Sequence, residues 1–343
     1  MNERVLTARE LNRALLARQL LLEHARLSVP RAIERVGGLQ TQYAPSGYVG
    51  LWSRLETFER DTLTRALERR TVVQATLMRV TIHLVSAREY WLFAMGLRRA
   101  RREWWLKQHK GKVTDREMQR DADRLRAALA DGPRSVRELG DLAKGFVGHV
   151  GLWVDLVRAP PSGTWERRRA DLLALAEDWV GPCQVTEEEG LEHLIRSYLR
   201  GFGPAKPSDV ASWAGVPVPM LKPALDRLEL RRFRDEAGKE LVDVPRAPLP
   251  AADTPAPVRF LPHWDANLLV HARRTEILPE RHRPRIFTAK NPFSLGTFLV
   301  DGAVAGGWHQ EKGRIVLDFY DRVPPSVRKE VDEEAERLAV LHG

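Results

Sequence analysis

Gln40 and Gln42 flank Thr41 in the segment Gly37-Gly38-Leu39-Gln40-Thr41-Gln42-Tyr43-Ala44-Pro45, at the exit of a short helix. In locally extended chain, residues two apart put their side chains on one side. A glutamine amide does not take up a proton at neutral pH, so this pair is no strong general base. Each amide offers a carbonyl oxygen with two lone pairs and an NH2 donor. Two fixed amides can hold a water and stabilise developing positive charge by orientation and dipole. The same residues can instead hold up loop backbone through amide hydrogen bonds, and spacing alone leaves both uses open.

Other chemistries find little support. No glycine-rich phosphate loop of either common type is present. No His-Glu-x-x-His pattern occurs, and His193, His263, His271, His282 and His309 lack ligand spacing. Cys183 is the single cysteine, which excludes a disulfide framework and a cysteine-cluster zinc site. No carboxylate cluster suggests a two-metal nuclease, and no lysine near the glutamines suggests a Schiff-base lyase. The expectation is an activity with no metal and no cofactor.

The elements around the pair read as mostly helical, cut by hairpins. Thr7-Ala8-Arg9-Glu10 is a capping box before Leu11, Leu15, Leu16 and Leu20 at helical spacing. Ser28 opens a second helix that Gly37-Gly38 ends, and Asp61 opens a third. Thr71–Leu77 and Val80–Val85 follow as β-rich runs, and Ser86-Ala87-Arg88-Glu89 caps a long helix. The order recurs with a capped helix at Ser135–Leu139 and an Arg-rich wing around 163–167. It recurs again as helices at Glu187–Leu199, Ser208–Trp213 and Pro219–Leu228, then a hairpin turning at Ala237-Gly238. After the Pro/Ala linker Pro245–Pro257, three alternating strands (Gly296–Asp301, Ala303–Gln310, Arg314–Tyr320) and a polar helix close the chain.

The expected fold is therefore α+β, mainly α: three tandem winged-helix (helix-turn-helix) units plus a C-terminal β-rich subdomain. The boundaries are 1–113, 114–186, 187–246 and 257–343, a division compatible with 343 residues.

Net charge is +9, which points to an acidic partner, nucleic acid first. Arg98 to Lys112 carries seven basic residues and one acid, a net of +6, and includes Trp104 and Trp105. The stretch 259–290 is +4, and Asp321–Gly343 is −2. Arg98, Arg99, Arg101, Arg102 and Lys107 are candidate phosphate contacts, with a solvated helix face as the competing use. Trp104 and Trp105 either stack on bases or, as the expected use, fill the core. Arg231, Arg232, Arg234 and Lys239 on the last hairpin are candidates for contact in a groove. Arg79, Thr81 and His83 alternate along one run and so face one way, either beside the glutamines, toward a phosphate, or as a buttress of the wing. The longest near-continuous apolar stretch, Phe146–Val154, is short of the roughly 20 residues a membrane span needs. With a charged Met1-Asn2-Glu3-Arg4 start, the expected location is cytoplasmic, on the nucleoid.

The segment GLQTQYAPSGYVGLWSRL, with Met78-Arg79-Val80-Thr81-Ile82-His83-Leu84, resembles the AlkZ/AlkX family of winged-helix DNA glycosylases. Val157–Trp165, Gly203-Pro204 with Trp213, Leu261–Asp265, and Val300-Asp301-Gly302 with Trp308 fit the same family, so the resemblance spans nearly the whole chain. It implies a catalytic Gln-x-Gln motif at Gln40 and Gln42, with Thr41 where an aliphatic residue is usual. Tyr43, Arg79, Thr81 and His83 are then supporting or lesion-proximal residues. The implied activity is monofunctional hydrolysis of the N-glycosidic bond of alkylated purines in duplex DNA, N7-alkylguanine or bulkier adducts and crosslinks, as a step of base excision repair by a monomer. Such a cationic base leaves neutral, so orienting a water suffices. The alternative is a non-catalytic winged-helix DNA-binding protein or transcriptional regulator.

Overall fold

A computed structural model describes residues 3–143, 150–269, 272, 274–287 and 295–343. Residues 146–149 of the long apolar stretch, His271, and the end of the 259–290 window lie outside the described residues.

Strand β1 (Val5–Leu6) leads into α1 (Ala8–Arg18), closed at its start by the Thr7/Glu10 capping box. Helix α2 (Val29–Val36) carries Pro30 in its first turn, where no N–H is needed, and ends on Gly37 at φ +82°. Then come β2 (Leu39–Gln40), α3 (Pro45–Trp52), α4 (Arg60–Glu68), β3 (Val72–Thr76), β4 (Ile82–Ser86) and α5 (Tyr90–Gln108). Residues 86–89 form a turn, Glu89 N–H donating to Ser86 Oγ at 3.2 Å, so α5 opens at Tyr90 and not at the expected cap. Helix α3 was not foreseen. Pro45 to Leu51 are all buried, so it shows no polar face and no amphipathic period to read.

The second pass gives α6 (Asp115–Leu129), β5 (Arg134–Ser135), α7 (Val136–Leu139), β6 (Leu156–Arg158), β7 (Leu172–Leu175) and α8 (Ala176–Val180). Residues 163–167 are the connection between β6 and β7, not strand. The third pass gives α9 (Glu187–Phe202), α10 (Pro207–Ala214), α11 (Val218–Arg227), β8 (Arg231–Asp235) and β9 (Glu240–Asp243). The remainder is β10 (Arg259–Leu261), α12 (Arg283–Ile286), β11 (Gly296–Val300), β12 (Ala303–Glu311), β13 (Arg314–Phe319) and α13 (Pro325–His342).

Among the described residues the strands form three sheets. One is antiparallel in the order β2-β4-β3-β6-β7-β5, so the hairpins of the first and second passes fuse where Gln74 faces Arg158 and Ala75 faces Val157. The second is β1-β8-β9, with β1 parallel to β8. The third is the antiparallel β10-β11-β12-β13.

The cores draw on several of these passes at once. One cluster joins Leu15, Phe93, Leu194 and Trp213 to Leu261 and Leu299 across the proline-rich linker. Another joins Ile33, Tyr48 and Leu63 to Phe260, Trp308 and Leu338. Helices α5 and α9 touch through Gly96 and Gly190, where a methyl on either would lie 2.5 or 2.3 Å from the other's backbone. Two buried ion pairs fasten distant segments: Arg18 to Asp243 at 2.6 Å and Arg54 to Asp265 at 3.0 Å. No helix among the described residues is long and apolar enough to cross a membrane.

Candidate active site

The glutamine segment is an edge strand that runs out after two residues. In β2, Leu39 pairs with Leu84 and Gln40 with His83 of β4. Thr41 N–H then donates to Ile82 carbonyl oxygen at 2.8 Å. At the next step the ladder switches from main chain to side chain, and Ile82 N–H donates to Gln42 Oε1 at 3.1 Å. The chain turns through Tyr43 and enters α3 with Pro45 in its first turn.

Gln40 is buried, and its Oε1 accepts a 2.6 Å hydrogen bond from Arg79 Nη2. The other arm of the Arg79 guanidinium donates to the carbonyl oxygen of Trp213 in α10. Arg79 therefore bridges the motif and the third pass. It does so from a tight turn, Met78–Val80, in which Arg79 and Val80 have φ of +52° and +59°. Gly215, itself at φ +74°, makes room for this turn: a methyl there would sit 3.3 Å from Arg79 N and Cα. Burial pushes the Arg79 pKa down to about 10, so it stays cationic at neutral pH. No carboxylate lies within salt-bridge distance of it among the described residues.

This turn corrects the expectation that Arg79, Thr81 and His83 alternate along one strand. Strand β4 begins at Ile82, and the left-handed residues break the alternation. Thr81 Oγ1 donates back to Met78 carbonyl oxygen at 3.0 Å. His83 is only 2% exposed, and its Nδ1 lies 2.9 Å from Thr81 carbonyl oxygen, which makes that nitrogen the donor. Burial, then the Arg79 charge, push its pKa down to about 3. The ring is therefore neutral and tied to its own hairpin.

Thr41 is buried, and its Oγ1 accepts from Gln74 Nε2 at 3.2 Å. Tyr43 borders a cavity of about 200 Å3 walled by His263, Trp308, His342, Arg168 and Ser46. Its hydroxyl accepts from Arg168 Nη1 at 2.9 Å, and its ring meets His263 edge-on at 5.7 Å. Ser46 Oγ is buried without a hydrogen-bond partner. Gln74 and Arg168 were not singled out in the sequence, and Trp213 entered only as a helix end and a point of family resemblance. They lie 32 to 173 positions from the Gln40–Gln42 segment, and no local spacing marks them.

The basic helix is mostly spent inside the molecule. Arg98 pairs with Asp155 at 2.6 Å, and Arg99 with Glu187 at 3.3 Å. Arg102 donates to the carbonyls of Leu152 and Trp153. Arg101 is a correction to the expected phosphate surface: it is buried and donates to Thr76 carbonyl oxygen at 2.8 Å. Lys107 is exposed. The two tryptophans divide: Trp105 is buried and stacked on His109, whereas Trp104 is 48% exposed. On the last hairpin, Arg231 lies over the Phe233 ring, Arg232 pairs with Glu240, and Arg234 pairs with Glu3, leaving Lys239 exposed at the turn. No group of three or more His, Cys, Asp or Glu among the described residues is arranged to hold a metal.

Comparisons with known proteins bear on the family and the fold. A family model described as DNA glycosylase AlkZ-like matches residues 33–341. The fold superposes on the solved structure of Streptomyces sahachiroi DNA glycosylase AlkZ with a TM-score of 0.81 at 18% identity, covering 98% of this chain and 96% of that one. No curated protein matches the sequence.

Proposed function

The chain belongs to the AlkZ-like family of DNA glycosylases, and on that premise we propose that it is a monofunctional enzyme releasing N7-alkylguanine-type purines from duplex DNA, with Gln40 and Gln42 positioning the water. The observation that carries the reading is that both amide oxygens are already oriented, one by Arg79 and one by Ile82 N–H. Each oxygen keeps a second lone pair for a water. Preorganised dipoles of this kind need no rearrangement as charge develops.

The chemistry closes without an acid or a strong base. The C1′–N9 bond breaks with its electron pair passing to the purine, whose cationic ring becomes neutral. C1′ takes on oxocarbenium character. A water held by the two amides adds to C1′, and its proton passes to solvent. Arg79 is cationic beside a developing cation, and a phosphate of the bound strand supplies the counter-charge that no carboxylate among the described residues gives it. Its part is positioning: it grips Gln40 and the Trp213 carbonyl at once, which a lysine cannot do.

The three helix-and-hairpin passes are read here as three winged-helix units that surround this site. The test is release of N7-methylguanine from a duplex, with Gln40→Ala and Gln42→Ala beside the wild type. A slow variant that keeps its fold supports the assignment, and undiminished release by both refutes it.

A further inference from the structure

We propose that a cavity of about 210 Å3 framed by Arg35, Arg196, Arg200 and Arg246 is an oxyanion site that holds one phosphodiester of the duplex. The proposal rests on the reading of the protein as a DNA glycosylase and adds to it a specific point of backbone contact, away from the glutamines.

The four cations come from three segments: the last turn of α2, one face of α9, and the chain after β9. Gathering like charges around a cavity is unfavourable unless opposite charge compensates. Only part of the compensation is built in. Arg200 pairs with Glu89 at 3.1 Å, and Arg196 approaches Glu192 at 3.8 Å. Arg35 and Arg246 make no side-chain hydrogen bond or ion pair among the described residues. A phosphate completes the compensation for Arg35 and Arg246, because guanidinium forks match phosphate geometry and the bonds are charge-assisted.

The walls are fixed before any ligand arrives. The guanidinium of Arg18, locked on buried Asp243, donates twice to Pro248 carbonyl oxygen at 3.0 and 2.9 Å and so pins the segment bearing Arg246. Helices α2 and α9 are pressed together at Gly201, where a methyl would lie 2.6 Å from Val36 carbonyl oxygen. The backbone is therefore ordered in advance, and binding has only the arginine side chains left to order. Arg35 also precedes Gln40 by five residues. That chain spans at most about 18 Å, the rise of roughly five base-pair steps. A phosphate seated here sets the register of the duplex against the motif.

The test measures binding, not base release, so it stands apart from the catalytic reading. Fluorescence anisotropy with a lesion-free labelled duplex is followed across a salt series for wild type, Arg35→Gln, Arg246→Gln and the double variant, with circular dichroism to confirm folding. The proposal predicts weaker binding and a slope of log K against log salt that is shallower by about 0.9 in the double variant. Unchanged affinity and slope in a folded double variant overturn it. Inorganic phosphate is titrated calorimetrically in parallel. Loss of phosphate binding with unaltered duplex binding makes this a site for a free oxyanion and overturns the duplex assignment. An altered slope in a protein that releases no base removes the glycosylase reading and leaves this site standing.

Discussion

The hydroxyl of Thr41 accepts a hydrogen bond from Gln74 Nε2 at 3.2 Å, inside the sheet and directly between the two glutamines of the motif. Gln74 is 2% exposed and its Oε1 has no partner. The bond therefore satisfies half of a buried amide and ties the motif to β3. Thr41→Val keeps the volume and removes the acceptor. The expected cost is about 1–3 kcal/mol, the penalty of leaving a buried donor unpaired. Adding Gln74→Leu is expected to recover part of it, because the polar pair is then gone as a unit. Urea unfolding of the two singles and the double measures the coupling.

Arg79 is expected to act through Gln40. Arg79→Lys keeps the charge but cannot hold Gln40 and the Trp213 carbonyl together. The predicted result is a fall in kcat of at least about tenfold, on the order of 1.4 kcal/mol in the barrier, with KM for the duplex nearly unchanged. A purely phosphate-binding Arg79 gives the opposite pattern, a raised KM that lysine largely preserves.

The buried histidines predict the acid limb of stability. His83 and His193 are pushed down to about 3, and His24 and His342 to about 4, in each case mainly by burial. Their folded pKa values lie below the ordinary 6.5, so below that pH the unfolded chain takes up protons that the folded chain refuses. Stability is full above pH 6.5 and falls as pH drops toward 4. His83 and His193, the two most deeply buried, each contribute a slope approaching about 1.4 kcal/mol per pH unit, and the half-buried His24 and His342 contribute less. His83→Asn is predicted to flatten the limb in thermal melts between pH 4 and 7. The rate of base release, by contrast, shows no limb from His83 above pH 5.

The basic helix gives a further contrast. Arg101→Ala removes a buried side chain and leaves Thr76 carbonyl oxygen without this donor, and is expected to lower Tm by several degrees. Lys107→Ala is expected to leave Tm unchanged and weaken duplex binding, most at low salt. Reversal of these two outcomes in melts and anisotropy contradicts the division of labour described for α5.

The sequence carried some of this plainly and could not carry the rest. The capping box at Thr7/Glu10, the αL stop at Gly37 and the α9-to-β9 pass depend on neighbours in the chain, and local pattern suffices for them. Helix α3 was invisible because it is buried on all sides. Met78-Arg79 falls between the two β-rich runs, as the sequence suggests, but the turn continues through Val80, which looks like strand beside Ile82 and Val85; its left-handed backbone lies against Gly215. Gln40 and Gln42 were legible as a pair, with Arg79 among the candidates beside them. That the other arm of Arg79 is held by the Trp213 carbonyl, 173 positions from Gln40, depends on tertiary packing and was not legible.

The central claim is that Gln40 and Gln42 position the attacking water. Single-turnover release of N7-methylguanine from a duplex tests it most directly, with wild type, Gln40→Ala and Gln42→Ala compared at saturating enzyme. The account predicts release by the wild type and a loss of roughly 10²-fold or more in each variant, with circular dichroism and duplex affinity preserved. Equal rates in folded wild type and variants, or no release by the wild type, contradict it.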